Sequence, residues 1–186
     1  FARLLQDRLG ASFCGILSQD HYYIDQSAQF RGDGESVNFE HHDALDFKLL
    51  ATHLEMLTEG NSISVPQYEF SPHKRLALAL PFFPHPVILV DGTLVFTDED
   101  IRSYFDHRIF IDTHEELRLS LRFNRDRIER GRKPQGILWQ FERQVKPMHN
   151  VFIEPSKKHA DQVISGEEPF DFWIDSWSER LKIYGS

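Results

Sequence analysis

The 186-residue sequence has a single cysteine, Cys14, so no internal disulfide can form and a reducing, cytoplasmic setting is the expectation. Long apolar runs are lacking too. The longest, Leu76 to Leu80, is far too short to cross a bilayer as a helix, and the opening residues show no signal-peptide pattern arguing for secretion. Excess positive charge is missing: the net charge of −8 speaks against nucleic acid as a partner. Without a Gly-x-Ser-x-Gly turn, and with Cys14 inside an apolar run, nucleophilic hydrolase chemistry has no support. What is present, 40% apolar and 27% charged residues without repeats or low-complexity segments, describes one globular domain with neither membrane nor nucleic acid as partner.

The charge is unevenly placed. From Arg118 to Lys133 seven cations stand against Asp126 and Glu129, giving +5 there and −13 over the remainder. Arg118, Arg122 and Arg125 share one helical stripe, and Arg130-Gly131-Arg132 then breaks the helix. Such a stretch reads either as a guanidinium-rich lid that holds an anion or as a solvated helix face with internal ion pairs.

Apolar periodicity predicts strands over Ser12–Ser18, Pro86–Asp91 and Arg108–Asp112, the second buried on both faces, each with an aspartate at or just past its end. Helices are expected for the opening residues up to Gly10, Asp43–Leu57, and Asp98–Phe105 behind a Thr97 cap. A further helix opens with a Thr113/Glu116 capping box, and others cover Gly136–Val145 (stopped by Pro147), Ser156–Gln162 and Asp171–Ile183. Strands alternating with helices, with aspartates at the strand ends, predict an α/β fold whose ligands bind at the carboxyl edge of a parallel sheet.

Two stretches, Ile24–Phe39 and Ser62–Pro86, resist regular structure, the second apart from short strands near Ser64–Val65 and Leu76–Leu80. Both carry or adjoin aromatics, which either cover a flat ligand or form a satellite cluster under a loop. Asn38 to Asp43 gathers acids and histidines, but adjacent histidines point apart and no second ligand cluster has metal spacing, which argues against a structural transition metal.

Several segments in order carry a family resemblance: Gln19 to Ser27 (QDHYYIDQS), Asn38 to Asp46 (NFEHHDALD), Pro66 to Arg75 (PQYEFSPHKR), Val90 to Leu94 (VDGTL), Arg125 to Arg132 (RDRIERGR) and Val145 to Asp161 (VKPMHNVFIEPSKKHAD). Together they resemble the uridine kinase family of P-loop nucleoside kinases, nearly collinearly from Ser12 to about Ile164. The resemblance implies a three-layer fold with a mostly parallel sheet flanked by helices, a small β-rich nucleoside-binding insertion (62–86) and an Arg-rich lid (118–135). It implies ATP as phosphate donor, with GTP as an alternative, together with magnesium, a pyrimidine nucleoside as acceptor, and a homo-oligomer.

By the same resemblance, Asp20 takes the proton of the nucleoside 5′-hydroxyl and sits near the metal, with Asp91 in the place of a metal-proximal glutamate. Glu40 stands where an aspartate holds the ribose hydroxyls. Tyr23, Tyr68, Phe70 and His73 enclose and read the base. Arg122 lies near the ribose, Arg125 and Arg130 serve the triphosphate, and Arg132 and Gln140 fill further pocket positions. These residue types suit phosphoryl transfer, which needs positioning and charge neutralisation rather than covalent help.

The sequence also departs from the family pattern. It contains no Gly-rich loop ending in Gly-Lys-Ser/Thr and opens at Phe1 in what reads as mid-helix; the expectation is that roughly 20 to 30 residues, a strand and a phosphate loop, precede it in the natural protein. Glu40 is one methylene longer and Asp91 one shorter than the family's residues, and Leu121 replaces an arginine. The reading is an ATP-dependent uridine or cytidine kinase acting in pyrimidine salvage. Its rivals are a related kinase of nicotinamide riboside or a sugar phosphate, and a catalytically weak nucleotide-binding homologue.

Overall fold

The computed structural model describes residues 1–30, 37–70, 72–128 and 131–185. Its strands are β1 (Cys14–Ser18), β2 (Ile63–Glu69), β3 (Lys74–Phe82), β4 (Val87–Asp91), β5 (Ile109–Asp112) and β6 (Gln162–Ser165). β1 runs parallel to β4, with Cys14 opposite Val87 and Ser18 opposite Asp91; β5 runs parallel to β6, with Asp112 opposite Ser165. The parallel frame is therefore built as two pairs, each delivering its carboxyl ends to one edge. The third pair is an antiparallel hairpin of β2 and β3, with a register shift between Pro66 and Tyr68. Its strands are longer than the short ones expected, because Pro66 and Pro81 are both accommodated within the ladder.

Burial on both faces does not hold for β4. Only Val87 is buried, while Ile88, Leu89 and Val90 are half-buried, since β4 has a ladder partner on one side only among the described residues. The expected Ser156–Gln162 helix is instead a 3₁₀ turn (Lys157–His159) that gives way to β6 at Gln162. Asp161 turns the chain into it: the N–H groups of Asp161 and Gln162 both donate to the carbonyl of Arg108, starting the parallel ladder.

Helix ends follow local chemistry. α1 (Ala2–Leu9) stops at Gly10, whose φ of 91° suits only glycine well. α2 (Phe47–Thr58) begins four residues after the expected Asp43, because Asp46 Oδ1 accepts the N–H of Leu49 while Leu45 makes an isolated antiparallel bridge with Tyr23. α3 (Glu99–Ser103) is capped by Asp98 rather than Thr97, whose hydroxyl donates instead to the carbonyl of Leu94. α4 (Glu115–Ile128) starts behind His114, so the expected Thr113/Glu116 box does not form; the Thr113 hydroxyl lies against Gly166 at the end of the β5–β6 ladder.

Pro147 does not end the next helix. α5 (Pro134–Gln140) passes into a π-helical turn (Phe141–Val145), α6 (Lys146–Met148), a second π turn (His149–Ile153), α7 (Glu154–Ser156) and a 3₁₀ turn (Lys157–His159). Pro147 and Pro155 each follow a π turn. The wider i→i+5 geometry there relieves both the missing donor and the ring clash that end an ordinary helix at proline.

α8 (Asp171–Leu181) turns Ile174, Trp177 and Leu181 onto Leu5, Cys14 and Val87, forming one core on the α1 side; Trp173 is only half-buried. Burial there pushes the Cys14 thiol up to about 11, so it stays protonated. The larger core joins Leu17, Leu50, Leu54, Val65, Leu94 and Phe110 to the aromatics described next. No helix among the described residues is long and apolar enough to cross a membrane.

Candidate active site

β1 leads directly into a 3₁₀ turn (Gln19–Tyr22) whose N–H at Asp20 is taken by the Ser18 hydroxyl at 3.3 Å. Gln19 and Tyr22 point into the core, which leaves Asp20 on the exposed side of the same turn. The fully buried Gln19 accepts the N–H of Leu94 at 2.8 Å, tying the loop after β4 to the turn that carries Asp20. Gly92 makes this approach possible: a Cβ there would come within 2.4 Å of the Gln19 side chain. Asp91, exposed at the end of β4 opposite Ser18, shares that edge.

An aromatic wall stands beside it. Tyr68 lies 5.3 Å from Tyr23 and 5.2 Å from Phe70, ring centre to ring centre, and Tyr23 meets Phe70 edge-on at 6.0 Å. His73 stacks on Phe39 at 3.6 Å with Phe30 at 4.3 Å, and does so at a φ of 53°, a conformation that costs a non-glycine residue energy and is held here by its neighbours. Burial drives the Tyr23 phenol far above its ordinary pKa; nearby Glu40 and Asp20 push the same way, while Arg122 opposes them. Burial likewise pushes Tyr68 up to about 12, and its buried hydroxyl has no hydrogen-bond partner among the described residues.

Arg75 fixes this wall to the strand edge. Its guanidinium donates to the carbonyls of Tyr23 (3.0 Å) and Tyr22 (2.9 Å) and to Asp46 Oδ2 (2.9 Å), so one side chain joins the hairpin, the Asp20 turn and the α2 cap. Arg75 lies in a segment singled out by sequence, yet nothing in its spacing marks it as the clamp. Gln19 is another such supporting residue.

The cationic wall comes from α4 and from Arg132 in the segment leading into α5, with Gln140 of α5 as a shared acceptor. Arg122 donates to Glu40 at 2.8 Å and to Gln140 at 3.3 Å; Arg132 donates to Gln140 at 2.6 Å and to Asp126 Oδ2 at 3.0 Å. Arg125 reaches Asp126 Oδ1 with Nε at 3.2 Å and Nη2 at 3.1 Å, and Arg122 Nε lies 3.7 Å from Asp126 Oδ2. Asp126 has no exposed surface, and Gln140 is locked in turn by donating to Gln144 at 3.2 Å. The structure thus brings together Glu40, Arg122, Arg125, Arg132 and Gln140. Arg118 leaves this group: its charge acts on His149, whose pKa is lowered chiefly by burial and then by Arg118. Arg130 and Glu129, within the expected lid, lie outside the described residues.

Comparisons with known proteins give the family and the fold. Residues 11–168 match the model of the phosphoribulokinase / uridine kinase family. A protein named uridine kinase from Aeromonas hydrophila subsp. hydrophila is 39% identical over 174 residues, covering 94% of this chain and 81% of the relative. Another of that name from Halobacterium salinarum is 38% identical over 163 residues, 88% of this chain and 72% of its own. Among solved structures, one named as a possible uridine kinase from Bacillus stearothermophilus superposes with a TM-score of 0.57 at 11% identity, covering 88% of this chain and 77% of the other, which supports the P-loop kinase fold. The chain belongs to the phosphoribulokinase / uridine kinase family, whose members are kinases that phosphorylate an alcohol acceptor.

Proposed function

We propose that this protein transfers the terminal phosphate of ATP to the 5′-hydroxyl of a pyrimidine nucleoside, uridine first and cytidine second. The observation that carries the reading is the setting of Tyr23. One buried phenol packs on Tyr68 and Phe70 and at the same time feels the charges of Asp20, Glu40 and Arg122. A flat base against the rings therefore places its ribose beside those charged groups. Relatives named uridine kinase support the choice of acceptor.

In this reading the aromatic wall of Tyr23, Tyr68, Phe70 and His73 takes the base, and the Tyr68 hydroxyl, without a partner among the described residues, offers it a polar contact. Glu40, steadied by Arg122, accepts hydrogen bonds from the ribose hydroxyls. Asp20, exposed at the strand edge, accepts the proton of the 5′-hydroxyl as that oxygen bonds to phosphorus. Arg125 and Arg130 balance the charge of the triphosphate, and Arg132 with Gln140 fills further pocket positions. Asp20 and Asp91 are oxygen donors at one sheet edge, a set that suits magnesium, which takes one or two carboxylates and keeps its waters. Bound there, the ion would supply neutralisation of phosphate charge.

The test is transfer of phosphate from ATP to uridine, cytidine, nicotinamide riboside and a sugar phosphate by the purified protein with magnesium. Uridine and cytidine monophosphate as the main products support the proposal; turnover confined to another acceptor, or none with a folded protein, overturns it.

A further inference from the structure

Asp126 is a carboxylate without solvent contact facing three guanidinium groups of the described residues, and its two oxygens are divided among them. Oδ1 takes Arg125, while Oδ2 takes Arg132 and lies near Arg122. Its main-chain carbonyl also accepts the N–H of Arg132 at 3.1 Å, so the chain returns to Asp126 through backbone and side chain together. From there the network runs on: Arg132 and Arg122 share Gln140 Oε1, and Arg122 holds Glu40, 82 positions away in sequence.

We propose that Asp126 is a positioning residue for nucleoside and phosphate binding: its buried carboxylate sets the guanidinium planes of Arg122 and Arg132, and through Arg122 the carboxylate of Glu40. The inference rests on the kinase reading above and deepens it. A carboxylate that served only to pin α4 to its neighbour would need one cation. Crowding three like charges around it carries a repulsive cost that such a pin does not require. What the arrangement does accomplish is to hold Arg125 and Arg132 by hydrogen bonds and Arg122 by charge across 3.7 Å, leaving their remaining donors aimed in set directions. Without the negative charge, Arg122, Arg125 and Arg132 repel one another, and Glu40 is left with an Arg122 free to turn.

The test uses Asp126→Asn, of nearly the same shape but uncharged, with three readouts: melting temperature, uridine affinity, and the arginine Nε–H signals of Arg122 and Arg132 in ¹⁵N NMR without ligand. The expected result is a folded variant whose two signals broaden or exchange fast and whose dissociation constant for uridine rises about tenfold, the scale of one charge-assisted hydrogen bond. Signals and affinity unchanged in a folded variant overturn the proposal, even if the melting temperature drops, because that pattern is purely structural. Should Asp126→Asn not fold, Asp126→Glu decides, since it keeps the charge but displaces it. A near-normal melting temperature with uridine affinity several-fold weaker supports positioning; full recovery of both, or no fold, overturns it. If the wild-type protein does not bind uridine, the acceptor assignment fails, and the arginine signals alone then decide the role of Asp126.

Discussion

The two walls of the candidate site are held by different physics. The aromatic wall is a set of rings packed at 3.6 to 6.0 Å, continuous with the main core and clamped by one arginine to main-chain carbonyls. Its support is distributed over many weak contacts, none of which depends on ionic strength. The cationic wall hangs on two acceptors, Asp126 and Gln140, and on Glu40 opposite. Its support is concentrated and electrostatic, so it is the wall that one substitution or a change of salt can rearrange. On the proposed roles, a neutral, flat acceptor rests on the rigid face and a highly charged donor on the adjustable one.

Asp20 stands where the walls meet, and its replacement gives the largest effect. Asp20→Asn is expected to lower turnover about a thousandfold, within the range for losing a general base, while uridine affinity stays within about twofold because neither wall is touched. Steady-state transfer and equilibrium binding separate the two; loss of folding would instead mark Asp20 as structural. On the aromatic side, His73→Ala removes a ring stacked on Phe39 and is expected to weaken uridine about tenfold, on the scale of an aromatic pair plus lost area. ATP affinity should hardly change, and equal losses for both ligands would break the division between the walls.

Salt sharpens the contrast further. Arg125 is 45% exposed, so raising sodium chloride from about 0.05 to about 0.5 M is expected to weaken ATP several-fold while leaving uridine within about twofold. Titration calorimetry at both concentrations checks this, and parallel losses would argue against it.

The smallest effect concerns pH. His53, bonded to Tyr22 at 2.8 Å behind the aromatic wall, has its pKa lowered chiefly by burial, with Asp46 partly opposing. Its folded value lies below the unfolded one, so protons favour the unfolded chain. Stability is therefore flat above the unfolded histidine value, about 6.5, falls as pH drops below it, and levels off beneath the lowered native value. Melting curves between pH 7.5 and 5 should show that slope, flatter in His53→Gln; an equal slope in the variant would assign it elsewhere.

Much of the frame could be read from residue order. β1, β4, β5, α2 and α8 follow from apolar runs and spacing, because burial imposes those patterns directly. β6 escaped because only Ile164 of its four residues is buried and the preceding Lys157-Lys158-His159 looks helical. In the site, the aromatic and arginine positions were legible through their motifs. Their supports were not. Asp126 among arginines looks like a solvated i, i+4 pair, and only the packing of α4 and α5, with Ile137 and Gln140 buried, removes it from water. Arg75 acts on carbonyl oxygens, which every residue carries, so no pattern of side chains announces it.

The two π turns join sequence length to proline content. Each adds one residue to the helical path between Gln140 and Ser156, and each is followed two residues on by a proline. Removing a single residue from Phe141–Val145 would restore ordinary winding and set the ring of Pro147 against the carbonyl four positions back. The extra residue and the proline are thus two halves of one edit. A viable removal of the extra residue must be accompanied by replacement of the proline.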